Sequence, residues 1–311
     1  MKRLQLKLDP LTRQRAIVCR GTSCYLTKAP GAEDWNHVTK FSWTSDRQKP
    51  EAELLKLANQ RGVEGIARLV GHRSITSIKE MRAGLMFEKP YSFRGSSSAG
   101  SFFLQSFSQS KPSSVLSRSF SEVAYDVEES PLELLEALRD AIKAHRSLYS
   151  KGKILHRDIS ENNIIITEAT QYGHAGMLID MDLAKELGTG RSGACCRTGT
   201  MEFMTIDVLL NTDHTYQHDL ESFFYVLIWQ CARRGWEFVG NWKCRPSPSL
   251  LTKWYTGSYE DIAIAKELRG ILFPIHGNAI FTGTPKDSEI LYELITKAFD
   301  HAIDVIRKVG R

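Results

Sequence analysis

The run Ile154-Leu155-His156-Arg157-Asp158-Ile159-Ser160-Glu161-Asn162-Asn163-Ile164-Ile165-Ile166 sets a carboxylate and an amide on one loop between two apolar runs. A second carboxylate, Asp180, closes another apolar run in Leu178-Ile179-Asp180-Met181-Asp182-Leu183-Ala184. Phosphoryl transfer uses such a set: a carboxylate at the accepting hydroxyl, and an oxygen-donor pair holding Mg²⁺ on the phosphates. Asp158 is the candidate base or hydroxyl anchor. Asn163 and Asp180 are the candidate Mg²⁺ ligands, with Asp180 the main one because a hard cation prefers carboxylate oxygen. The competing reading is three unrelated surface polar residues, and their order and strand-loop setting weigh against it.

Lys40, on an N-terminal strand, stands where an ammonium would hold the α- and β-phosphates of a nucleotide. Glu51, on the helix that follows, is the candidate counter-ion of Lys40. Glu53 competes for that role, but Glu51-Ala52-Glu53-Leu54-Leu55 sets Glu51 ahead of the apolar pair. The phosphate loop is thin: Cys19-Arg20-Gly21-Thr22-Ser23-Cys24-Tyr25 offers Gly21 as its single glycine, and alone it reads as a turn.

Elements must position these groups. Residues 4–43 read as strand-rich, with Ala16–Cys19 and Cys24–Leu26 flanking a turn and His37–Trp43 alternating as a half-buried strand. A helix is expected from Pro50 to Gln60, stopped by Gly62, followed by a strand over Ile66–Val70. Residues 92–121 are rich in Ser with scattered Phe and read as a disordered insert, with a regulatory phosphorylation segment as the rival reading. Ser130-Pro131-Leu132-Glu133 is a helix start, and apolar spacing carries that helix to Tyr149 before Gly152. Short strands at 153–155, 164–167 and 177–179 bracket the Asp158 loop and deliver Asp180. A strongly apolar helix is expected from Asp219 to before Gly235, then amphipathic helices at about 258–269 and 287–309, with Ser258 and Asp287 as caps. The division is 1–91, strand-rich with one helix; 92–122, insert; and 123–311, mainly helical.

Bulk properties fit a globular chain. At 311 residues it can bury a good core, and 42% hydrophobic and 25% charged residues are ordinary proportions. The formal charge of +5 is spread along the chain, so no nucleic-acid partner is expected. Cys19, Cys24, Cys195, Cys196, Cys231 and Cys244 form no C-x-x-C pair. No secretory pattern opens the sequence, and an intracellular, cytoplasmic or nuclear setting is expected. The longest apolar stretch, Phe223–Ala232, is too short to span a bilayer, so no membrane partner is expected. The sequence carries no signal of oligomeric state.

These residues resemble the eukaryotic protein kinases from about Gly21 onward. His156-Arg157-Asp158 with Asn163 resembles the catalytic loop. Asp180-Met181-Asp182 stands where kinases carry Asp-Phe-Gly. Gly199–Asp207 resembles the end of an activation segment, and Asp219 falls where an aspartate anchors the catalytic loop. More narrowly, the chain resembles the fungal-type protein kinase family, through Leu155–Ser160, Ile179–Ala184, Gly199-Thr200 with Phe203-Met204, Asp219–Tyr225, Trp43 after Lys40, and Leu251-Thr252-Lys253-Trp254. The resemblance implies an α+β, two-lobed kinase fold: a small β-rich lobe with one main helix and a larger helical lobe. It also implies ATP and Mg²⁺ as ligands and transfer to Ser or Thr hydroxyls of a protein substrate. Lys40, Glu51, Arg157 and Asp158 would then be catalytic; Gly21, Lys40, Asn163 and Asp180 would bind the nucleotide and metal. In kinases an arginine at the position of Arg157 can bind a phosphorylated activation-segment residue, and Thr198 and Thr200 lie in that segment here.

The sequence departs from the kinase pattern in four places. Ser160 stands where Ser/Thr kinases usually carry a lysine at the transferred phosphate. Asp182 replaces a glycine and adds a carboxylate beside Asp180. The glycine-rich loop is reduced to Gly21. The Ser-rich insert lies roughly where the fifth strand and the adenine-binding hinge should be, so the hinge residues are not placed. These departures motivate a second reading, a pseudokinase that binds or scaffolds with little catalysis. A third, a small-molecule kinase of the aminoglycoside or choline type, shares the Asp-to-Asn spacing, but the Gly199–Asp207 segment and the Asp219 helix argue for a protein kinase.

Overall fold

The computed structural model describes residues 4–8, 12–13, 22–33, 35, 37–44, 49–81, 83–84, 117–119, 131–167, 169, 173–189, 199–200, 203–209, 212–238, 268, 270–276, 279–280 and 284–309. Contacts divide the chain into two units, 1–69 with 115–311, and 70–114. In the second unit a single helical turn, Ile78–Met81, is closed by a reciprocal cap: the Ser77 hydroxyl accepts from the Glu80 N–H, and the Glu80 carboxylate accepts from the Ser77 N–H.

The first unit mixes strands and helices. Strands β1 (Gln5–Leu6), β2 (Thr12–Arg13), β3 (Ser23–Lys28) and β4 (His37–Phe41) form an antiparallel sheet around β3. The register sets Lys40 opposite Cys24. Helix α1 (Glu51–Gln60) follows, with Pro50 at its N-cap as the fixed φ of proline favours. Its Leu54, Leu55 and Ala58 are buried, which leaves Glu51 at the edge of the packed face. The strand expected over Ile66–Val70 is instead one parallel bridge from Ile66 to Leu178. Ile66 is buried there but Val70 is exposed, so the segment lacks a second buried residue to hold a ladder.

With Ile78–Met81 numbered α2, the next elements are β5 (Ser117–Ser119) and α3 (Pro131–Ser150). The Ser-rich insert otherwise lies outside the described residues, but β5 falls within its expected bounds. It pairs with β7 (Ile164–Thr167), which pairs in turn with β8 (Gly176–Leu178). The apolar Ile164–Ile166 run offers both its edges to neighbours, which draws three residues of serine-rich chain into a ladder. Helix α3 packs directly on β8, and Gly176 makes this possible: a Cβ there would overlap the Ala137 carbonyl. Strands β6 (Ile154–Leu155) and β9 (Lys185–Glu186) pair across the loop that carries Asp158.

Beyond it come α4 (Ile206–Leu209), α5 (Tyr216–Phe238), the hairpin β10 (Ile275–His276) and β11 (Ala279–Ile280), and α6 (Ser288–Val309). Helix α5 starts three residues before the expected Asp219, where the Thr215 N–H just ahead of its first turn donates to the His218 ring at 3.1 Å. The helix also runs through Gly235, since one interior glycine costs only about 1 kcal/mol. Asp287 caps α6 as expected, accepting from the Glu289 N–H at 3.0 Å. Ser258 and most of the 258–269 helix lie outside the described residues.

The core is the meeting of α3, α5 and α6. Leu138 and Ile142 of α3 pack with Leu220 and Phe223 of α5 and with Ile295 and Phe299 of α6. Among the described residues no helix is long and apolar enough to cross a membrane.

Candidate active site

Two adjoining groups of polar residues occupy the ends of β4, β6, β7 and β8. The first surrounds Lys40. Its Nζ lies 3.0 Å from Glu51 Oε2, 2.8 Å from Asp180 Oδ1 and 2.9 Å from Asp182 Oδ2. Glu51 therefore is the glutamate that meets Lys40, while Glu53, one residue off the packed face, is exposed. The other Glu51 oxygen, Oε1, accepts from the Met181 N–H at 2.8 Å, tying α1 to the turn after β8. Asp180 takes a left-handed φ of 62°, and its Oδ1 accepts from the Asp182 N–H at 3.1 Å. That tight turn brings Asp182 back onto Lys40.

One ammonium among three carboxylates divides them electrostatically. Burial pulls Lys40 down, but Asp180, Glu51 and Asp182 together hold its pKa above the ordinary lysine range. Burial would raise Asp180, and Lys40 outweighs it, keeping Asp180 below the usual carboxylate range. Glu51 goes the other way, raised by burial and by the two aspartates against the pull of Lys40. The carboxylate oxygens of Glu51, Asp180 and Asp182 lie within 4.8 Å of one another, a set of hard donors that suits Mg²⁺.

The second group is the Asp158 loop. Asn163 sits in a 3-10 turn, Glu161–Asn163, and its side-chain amide donates to the Asp158 carbonyl at 2.8 Å. Its own carbonyl accepts from the Ile179 N–H at 3.0 Å, which sets Asn163 beside Asp180. His156 joins the same strands: one ring nitrogen meets the Ile179 carbonyl at 3.1 Å and the other faces the Asp158 N–H at 3.4 Å. Burial lowers the His156 pKa, consistent with a neutral ring that donates to one and accepts from the other. Arg157 is buried, with a left-handed φ of 69°.

The Asp158 carboxylate receives two hydrogen bonds from Thr200, from its N–H at 2.8 Å and its hydroxyl at 2.9 Å. Burial raises the Asp158 pKa above the usual range, against the opposing pull of His156 and Thr200. Beneath the loop Asp219 is fully buried and accepts from the backbone N–H of His156 at 3.1 Å and of Arg157 at 3.1 Å. Two histidines, His145 and His214, each reach Asp219 at 2.8 Å. Burial alone would raise Asp219; the histidines instead hold it well below the ordinary range. A carboxylate accepting this many hydrogen bonds is a rigid anchor.

Residues 1–231 match the family described as fungal protein kinase. The chain belongs to that family. No match was found among curated proteins. A fungal protein kinase is a phosphotransferase, and the residues that carried the resemblance are the ones brought together here. Lys40, Glu51 and Asp180 share one cluster, and Asp158, Asn163 and Arg157 share the adjoining loop. Gly21 lies outside the described residues, as do Thr198, Cys195 and Cys196.

Sequence reasoning missed several partners. Thr200 was read as a position for a phosphate, but its hydroxyl is committed to Asp158, where an added phosphate would face a carboxylate. His145 stands within the apolar stripe of α3, and a histidine in such a stripe is the signal that a buried acid meets it. His214 and Tyr292 carried no local signal.

Proposed function

We propose that this fungal protein kinase transfers the γ-phosphate of ATP to serine or threonine hydroxyls of a protein substrate. The observation that carries the reading is Lys40. Its ammonium joins Glu51 of α1 to Asp180 after β8, three residues far apart in sequence and drawn to one point. In the resembling kinases this arrangement marks a nucleotide site built for transfer.

In this reading Asp158 accepts the proton of the substrate hydroxyl. Burial makes the carboxylate more basic, and the two Thr200 donors hold it in one orientation. Asp219 fixes the backbone from which Asp158 projects, and Arg157 braces it. Lys40 would turn to the α- and β-phosphates, with Glu51 keeping it in place, and Gly21 would bind the same nucleotide. Asp180 and Asn163 would hold Mg²⁺, with the Asp182 carboxylate in the same donor set. Bound there, the ion would neutralise the charge on the β- and γ-phosphates. The two-lobed architecture and an intracellular setting, cytoplasmic or nuclear, belong to the same proposal.

A second reading, a pseudokinase, has its own observations. Ser160 is 1% exposed, so its hydroxyl is turned into the protein and not toward a phosphate, and it brings no charge to replace the usual lysine. Asp182 Oδ2 lies 2.9 Å from Lys40 Nζ, on the ammonium that the phosphates would need. Phosphosite mapping separates the readings. The full chain is incubated with Mg-ATP and a generic basic protein, beside D158A. Phosphoserine or phosphothreonine made only by the parent supports the proposal. Nucleotide binding without transfer would favour the pseudokinase, and phosphorylation of choline or an amino sugar alone would favour a small-molecule kinase.

A further inference from the structure

We propose that Tyr292 is a positioning residue: acting through His145 and Asp219, its hydroxyl fixes the loop that carries Asp158. The inference rests on the role proposed above for Asp158. Tyr292 lies on α6, beyond the 1–231 span that matches the family, so α6 would be a working part of the phosphotransferase.

The geometry is a continuous buried chain. The Tyr292 hydroxyl lies 2.6 Å from His145 Nδ1. His145 Nε2 lies 2.8 Å from Asp219 Oδ2. The same Oδ2 accepts from the His156 N–H at 3.1 Å and from the Arg157 N–H at 3.2 Å. Tyr292, His145 and Asp219 are each 0% exposed. Asp158 is the next residue along the backbone.

Hydrogen-bond chemistry gives this chain one direction. Asp219 is ionised and can only accept, so His145 must donate from Nε2. The Tyr292 hydroxyl then completes the chain by donating to an Nδ1 lone pair, the tautomer that the proposed role requires. The orientation is enforced sterically as well. The His145 ring meets Phe223 edge-on at 5.9 Å, and Tyr292 stacks on Tyr216 at 5.9 Å. Ion pairs between α3 and α6, Arg139 with Asp300, Arg146 with Glu289, and the nearby Arg307 with Glu136, hold the two helices in register.

Removing the tyrosine oxygen leaves a buried acceptor at Nδ1 with no donor. The ring can then relieve that cost by moving its proton to Nδ1, which turns the Nε2 lone pair against the Asp219 carboxylate. Either outcome loosens the acid that holds the His156 and Arg157 amides.

The test uses the full chain and three readouts. Nitrogen NMR of His145 in the parent should find Nε2 protonated and Nδ1 bare; a proton on Nδ1 would overturn the proposal without any variant. In Y292F, hydrogen exchange at the His156 and Arg157 amides should quicken about tenfold, with kcat falling about tenfold at nearly unchanged nucleotide KM. Y216F is the control, because the Tyr216 hydroxyl leaves the chain and donates to the Pro285 carbonyl at 2.7 Å. It should leave loop exchange and kcat at the parent values. Unchanged exchange in a folded Y292F, or equal quickening in Y216F, would overturn the proposal. If the parent transfers no phosphate, the kinase reading fails, while the NMR and exchange readouts still decide the coupling.

Discussion

Asp182→Asn should strengthen nucleotide binding in the absence of metal. The side chain of Asp182 is 9% exposed and its Oδ2 lies 2.9 Å from Lys40 Nζ. A phosphate oxygen hydrogen-bonded to the same ammonium would lie about 3 Å from it, which sets the phosphate about 6 Å or less from the aspartate charge. Two unit charges 6 Å apart repel by roughly 1.4 to 2.8 kcal/mol at an effective dielectric of about 40 to 20. Removing the aspartate charge should therefore tighten metal-free nucleotide binding about 10- to 100-fold at 1.4 kcal/mol per decade. Lys40 keeps Glu51 and Asp180 as partners, so the variant is not left with an uncompensated ammonium. The assay is fluorescence titration with a labelled ATP analogue, in chelator and again in saturating Mg²⁺. The gain should shrink in Mg²⁺, where the ion screens the phosphates. Unchanged or weaker binding in chelator would refute the reasoning that Asp182 opposes phosphate at Lys40.

Glu51→Gln should lower kcat/KM for transfer roughly 10- to 100-fold, about 1.4 to 2.8 kcal/mol of lost transition-state stabilisation, while Glu53→Gln leaves it unchanged; steady-state kinetics of the two variants checks this. The acid limb of the pH–rate profile should lie above the ordinary carboxylate range, because transfer needs ionised Asp158 and burial raises its pKa. Thr200→Val removes a donor to the charged form, so the same limb should move further up in pH. Asp219→Asn should cost roughly 3 to 5 kcal/mol, measured by denaturant unfolding, because it breaks a fully buried charged network. Since the fold holds Asp219 well below its ordinary value, its stabilisation is complete above about pH 4 and is lost as pH falls toward the folded-state pKa, so the variant should also flatten acid unfolding.

What was legible in the sequence was local. The starts of α1, α3 and α6 were written in Pro50, Pro131 and Asp287 within a turn of each boundary, and the strands around Asp158 followed from short apolar runs. The pairing of Lys40 with Glu51 was legible because Glu51 stands just ahead of the buried Leu54-Leu55 pair of the helix that follows the lysine's strand. What was not legible was set by contacts distant along the chain. The start of α5 depends on a histidine doing the work of the usual glutamate in a cap. The Ser117–Ser119 strand exists because β7 has an open edge, not because serine favours strands. The partners of Asp219 come from α3, the loop before α5 and the Asp158 loop, with Tyr292 of α6 behind His145, and no periodicity joins His145, His214 and Tyr292. Asp182 was read as an added acid near Asp180; that it turns back onto Lys40 follows from the left-handed backbone at Asp180.

The central claim is that Asp158 and Asp180 perform phosphoryl transfer together with Lys40. It is tested most directly by following labelled γ-phosphate from Mg-ATP to the chain itself and to a generic basic protein, with Asp158→Ala and Asp180→Ala in parallel. Transfer by the parent that both substitutions reduce by at least about a hundredfold is the expected result. Transfer that survives either substitution, or a folded parent that binds nucleotide and transfers nothing under several divalent cations, would contradict the account.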